Sequence, residues 1–142
     1  MFNYFQKIQP TDTFKEIAKR WIFFELLALV PIIIGSVFFP VVFKGEENVD
    51  ALFLISMLLS PFWETLVFFY LPYRFGGLKA GLGGTIIWIL LHSLNSIANM
   101  VNVGIISFFY YRLMEAKKWK ELILFHFITN FIVFLILVIS FL

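Results

Sequence analysis

Three apolar runs long enough to cross a bilayer dominate this chain: Trp21–Phe43, Ala51–Leu71 and Lys120–Leu142. Each is near the roughly 20 residues that a helix needs to span a hydrocarbon core, and the first carries a single charged side chain, Glu25. Composition agrees, because 61% hydrophobic and 14% charged residues at a mean hydropathy of +0.93 leave too few charges to cover a soluble surface. Barrel strands would alternate polar and apolar residues, whereas these runs are continuous and phenylalanine-rich. The expected fold class is an all-α polytopic membrane bundle forming a single domain over residues 1–142, without internal repeat or linker.

The stretch Gly81–Met114 is too long for one span and short for two, so it is expected to form a tight hairpin of two short helices turning near Ala98–Asn102. Loop charges set the count. With five spans, Lys7, Lys15, Lys19 and Arg20, then Arg74 and Lys79, then Lys117, Lys118 and Lys120 all face the cytoplasm, and Lys44 with Glu46, Glu47 and Asp50 lies outside. That arrangement obeys the positive-inside rule, whereas four spans would put the Lys117–Lys120 cluster outside. About five transmembrane helices with a cytoplasmic N-terminus, in the inner (plasma) membrane, are therefore expected. Residues 1–20 read as an interfacial segment: Thr13-x-x-Glu16 is a capping box, and Phe14, Ile17, Ala18 and Trp21 follow it on one side. No small-residue cleavage site follows the first run, which reads as a signal anchor. A net charge of +2 suggests no nucleic-acid partner, and the absence of cysteine removes disulfides, thiol catalysis and thiolate metal ligands.

Ionisable groups inside a membrane cost a few kcal/mol each on insertion scales and call for a partner, a cavity or a task. They are Glu64 in the second span, His92 in the third and His126 in the fifth, the last accompanied by the neutral polar Asn130. Counted from the cytoplasmic ends, all four lie roughly 9–15 Å deep at 1.5 Å per residue. His126 and Asn130 are four residues apart and share a helix face, and His92, Asn95 and Asn99 form another polar stripe. Glu25, about one turn inside the first span, is expected to snorkel to the interface. A lone histidine or asparagine here is as readily a packing contact between spans, but a glutamate with two histidines at matched depth points to a site.

The ordered set resembles the CPBP family, the CAAX-processing and bacteriocin-associated (Abi) intramembrane proteases, whose pattern is EExxxR, then FxxxH, then HxxxN or HxxxD on successive spans. Here Glu64-Thr65 stands at the paired glutamates, Trp88-x-x-x-His92 at the second motif and His126-x-x-x-Asn130 at the third, over a family-like core of about residues 60–131. Two positions depart: Thr65 replaces the second glutamate and Phe69 the arginine. Either His92 or His126 then compensates for the missing cation, or the site is degenerate.

The resemblance implies hydrolysis of a peptide bond in a membrane-associated or prenylated substrate. Glu64 would be the general base, His92 and His126 would orient the water, and Asn130 would stabilise the oxyanion. Zinc held by His92, His126 and Glu64 is an alternative, disfavoured because no HExxH pair is present and no intramembrane carboxylate would remain as base. Asp12 and Asp50 lie outside the spans, which excludes an aspartyl mechanism, and no Gly-x-Ser-Gly segment supports a serine one. The rival reading is a non-catalytic immunity or partner-binding membrane protein that keeps the fold. A carrier is disfavoured by the lack of an inverted repeat. Expected partners are membrane lipid, a peptide or membrane-protein substrate, and a second copy or partner membrane protein that encloses the site.

Overall fold

A computed structural model describes residues 4–38, 51–92 and 97–140, and among them every regular element is helical. Helix α1 spans Phe14–Phe38, α2 Ala51–Glu64, a π-helical segment Thr65–Tyr70, α3 Leu71–His92, α4 Ile97–Glu115 and α5 Trp119–Ser140. The capping box is present: the Thr13 backbone N–H donates to Glu16 Oε2 at 2.7 Å and the Glu16 N–H to Thr13 Oγ1 at 3.4 Å. The expected interfacial helix and first span are thus one continuous helix, which runs on past Arg20 and carries Pro31, with its one missing N–H, in its second half.

Gly77 folds α3 back on itself. Its φ of 66° and ψ of −159° lie in a region that essentially only glycine occupies. In a straight helix residues 68 and 84 would be about 24 Å apart, yet a Cβ on Gly84 would sit 2.0 Å from the Phe68 carbonyl oxygen. The two legs before and after Gly77 therefore lie side by side, touching at Gly84. The π segment has its own cause in Pro72, which has no N–H for the Phe68 carbonyl and whose ring crowds it. Just before it the ladder widens, and the Leu71 N–H donates to Leu66 O, five residues back.

Helix α4 fills the centre, packing on α1 and α3, while α5 closes against α2. Phe109, Tyr110, Leu113 and Met114 of α4 are wholly buried, with Phe69, Trp88, Leu122 and Phe125 around them. A Schellman motif ends α4: Lys118 N donates to Leu113 O and Lys117 N to Met114 O, with Lys117 left-handed at φ 58°. The expected turn at Ala98–Asn102 is not there. Those residues belong to α4, and their asparagines bond carbonyls of other helices, Asn99 to His92 O at 2.5 Å and Asn102 to Ala28 O at 2.7 Å. These polar side chains are interhelical ties. Asn95 and the outer loop with Lys44, Glu46, Glu47 and Asp50 lie outside the described residues.

Residues 4–13 are docked on one end of the bundle by buried Ile8, by Arg20 bridging Asp12 (3.3 Å) and Gln6 O (2.9 Å), and by Lys118 Nζ on Asp12 O. Lys7 Nζ reaches Glu115 Oε1 at 3.2 Å, and Arg112 reaches Glu115 Oε2 at 2.8 Å. Burial raises the Glu115 carboxyl, but hydrogen bonds from Arg112 and Lys7 and their charges outweigh it and hold it below its ordinary range. A depressed carboxylate contributes stability that is full above its unfolded pKa and lost as pH falls through the folded one. Limited proteolysis of residues 4–13 is therefore expected to accelerate as pH drops below the usual carboxylate range, and Glu115→Gln should show that faster cleavage already at neutral pH. An unchanged pH profile in the variant would exclude Glu115 as the clamp.

The outer surface is apolar: Leu26, Ile33, Phe62, Trp63, Ile87 and Leu90 are each more than half exposed. Among the described residues one helical stretch, Leu58–His92, has the length and hydropathy of a membrane-crossing segment, and the chain turns back within it at Gly77.

Candidate functional site

The end of α2 brings Glu64 to the bundle interior, and the back-folded leg of α3 places Trp88 and His92 opposite it. Trp88 Nε1 donates to Glu64 Oε2 at 2.7 Å. His92 Nε2 lies 3.6 Å from the same oxygen and His126 Nε2, from α5, 3.3 Å. Three sequence-predicted residues from three helices thus meet at one carboxylate oxygen, with a tryptophan that entered the sequence reading only as part of a motif.

The two histidines differ. His92 is half-buried and bonds the Trp88 carbonyl through Nδ1 at 2.9 Å. A carbonyl only accepts, so Nδ1 carries the proton and Nε2 of the neutral ring is an acceptor facing Glu64. His126 is 1% exposed, with Nδ1 3.1 Å from the Thr65 hydroxyl. Its Nε2 is within ion-pair distance of Glu64 but off the line of a hydrogen bond.

The two departures from the family pattern are both buried and both have partners. Thr65 orients His126. Phe69 packs edge-on against Trp88 (5.5 Å between centroids), Tyr110 (6.1 Å) and His126 (6.5 Å). Among the described residues no cation replaces the arginine: Arg112 is engaged with Glu115 and the Phe108 ring, and Arg74 is exposed. N–H donors and imidazoles surround Glu64 in its stead.

Asn130 stands apart from this cluster. Its Nδ2 donates to Ser60 Oγ at 3.0 Å, and Ser60 and Asn130 each lie four residues from a site member, so they tie α2 to α5 one turn away. Among the described residues no group of three histidine, aspartate or glutamate side chains is arranged to hold a metal ion.

Glu25 corrects the snorkelling expectation. It accepts a hydrogen bond from Thr129 Oγ1 inside the bundle, and the same hydroxyl accepts from the Tyr110 hydroxyl at 3.1 Å. Spacing along α1 gives depth but not the direction of the side chain, and only the packing of α1 on α4 and α5 turned it inward. Beside the site, a groove of about 480 Å³ bordered by Trp63, Leu66, Tyr70 and Ile123 reaches in to Thr65. No family model, curated protein or solved structure matches the chain.

Proposed function

We propose that the chain is a multi-pass inner-membrane protein of five spans, N-terminus cytoplasmic, and that it hydrolyses a peptide bond of a membrane-associated substrate in the manner of the CPBP proteases, with Glu64 as general base. Support for the spans comes from the large apolar side chains exposed on the exterior, and from docking of the N-terminal segment at the same end as the lysine-bearing α4–α5 connection. Helices α1, α4 and α5 have 25, 19 and 22 residues, or roughly 38, 28 and 33 Å at 1.5 Å per residue. The leg after Gly77 is shorter, and local thinning or tilt accommodates it.

The observation that carries the catalytic reading is the meeting of Trp88, His92 and His126 at Glu64 Oε2. Trp88 and His126 hold the carboxylate. His92, open on one side, presents an acceptor beside it, and two acceptors 3.6 Å apart orient one water by its hydrogens. Glu64 takes a proton from that water, the oxygen adds to the peptide carbonyl, the C–N bond breaks, and the departing amine receives the proton back. The groove that reaches Thr65, the chain neighbour of Glu64, is the place for an extended segment. Asn130 acts as a positioning residue through Ser60.

One observation favours the second reading, a non-catalytic immunity or partner-binding protein: Thr65 and Phe69 are as fully packed as core residues. A second copy or a partner membrane protein across the His92 side would enclose the site in either case. Purified protein in lipid vesicles, offered prenylated C-termini, leader peptides and membrane helices, separates the two. Cleavage retained with a chelator and lost in Glu64→Gln supports the base; loss with chelator alone would bring zinc back; no cleavage by folded wild type would leave the second reading.

A further inference from the structure

The Glu25 network lies on the far side of Tyr110 from Glu64 and has no part in the hydrolysis described above. We propose that Glu25, Thr129 and Tyr110 form a proton-binding site inside the bundle, coupled to the ring of His126. Its ligand is the proton itself, and the inference does not rest on hydrolysis at Glu64.

Thr129 has one hydroxyl hydrogen and two acceptors for it: the Glu25 carboxylate and the Phe125 carbonyl, the latter at 3.0 Å. With Glu25 ionised, the hydroxyl donates to the carboxylate, and Tyr110 donates to the hydroxyl oxygen. With Glu25 protonated, its own O–H donates to Thr129, whose hydrogen turns to Phe125 O. Tyr110 still donates, at 3.1 Å. The Trp21 indole N–H, 3.4 Å from Thr129 Oγ1 and within reach of the carboxylate, serves the remaining oxygen. Every polar group keeps a partner in both states, so a proton enters or leaves at the cost of one hydroxyl rotation. A purely structural tie between helices needs only one of these arrangements, and in the other a buried polar group would be left without its partner.

The surroundings make this site sensitive. Among the described residues no lysine or arginine is within ion-pair distance of Glu25, so its charge is not neutralised locally. The titratable group facing it is Tyr110 from α4, and His126 stands behind Tyr110, one turn before Thr129 on α5. The Tyr110 ring lies 5.0 Å from the His126 ring, and both are wholly buried. A charge that appears on Glu25 therefore changes the field at His126 and, through it, at Glu64.

Infrared difference spectra of the reconstituted protein against pH test this directly. The carbonyl stretch of a protonated carboxyl should grow as pH falls, disappear in Glu25→Gln and persist in Glu64→Gln. Thr129→Val, which removes the switching hydroxyl, should shift its midpoint, while Thr129→Ser should restore it. The ¹⁵N signals of His126 should follow the same pH midpoint in wild type and lose that step in Glu25→Gln. If Glu25→Gln is not folded, the Thr129 pair decides alone. A wild-type spectrum with no carboxyl band that Glu25→Gln removes, or identical titrations in Thr129→Val and Thr129→Ser, would overturn the proposal.

Discussion

Glu64→Gln is expected to lower kcat for peptide cleavage about 10²–10⁴-fold, the usual contribution of a general base, with KM close to wild type. The amide has the shape of the carboxylate, and its carbonyl oxygen can still accept the Trp88 indole that now sits at 2.7 Å. What it cannot do is take a proton from water. An effect confined to kcat identifies an interaction made in the transition state and not in binding. His126→Ala is a less clean probe, since it empties a fully buried position and strands the Thr65 hydroxyl. Its loss of activity will be mixed with loss of stability, so thermal unfolding in detergent should be measured beside the rates.

The second large effect is on the fold. Gly84→Ala should destabilise the protein by about 3 kcal/mol, the upper part of the overpacking range, because the new methyl would lie 2.0 Å from the Phe68 carbonyl oxygen and 2.9 Å from Pro72. Backbone cannot turn aside as a side chain can, so the two legs of the hairpin must separate. Separation also pulls Trp88 away from Glu64. Gly83 is the control: a Cβ there meets nothing within 4 Å, and alanine is the better helix former by up to about 1 kcal/mol, so Gly83→Ala should be neutral or stabilising. Equal unfolding temperatures for the two variants would mean that the legs do not touch at Gly84.

Much of the helix content was readable because apolar runs of near-spanning length leave few other structures. The cluster of Glu64, His92 and His126 was readable for a related reason: residue counts from the basic ends gave matched depths, and depth is linear in sequence along a helix. Direction around the helix axis is a different matter. Glu25 stands near the cytoplasmic end of its apolar run, where snorkelling is the ordinary outcome, and only the tertiary placement of Thr129 shows that it turns inward. The turn expected at Ala98–Asn102 came from span length alone, which does not show that Asn99 and Asn102 lie in a helix with their amides on neighbouring carbonyls. Asn130 shares the face of His126 but is drawn aside by Ser60. The π segment did have a signal, Pro72 four residues after Phe68, whose meaning depends on which register the chain adopts just before it.

The meeting of the three side chains can be measured without a substrate. The chain contains two histidines, so ¹⁵N-imidazole spectra of the labelled protein in bilayers give two assignable rings. If Glu64 sits between them as described, Glu64→Gln will shift the Nε2 signals of both His92 and His126, and Thr65→Val will shift the Nδ1 signal of His126 alone. Imidazole signals that do not respond to Glu64→Gln in a folded protein would contradict the site itself.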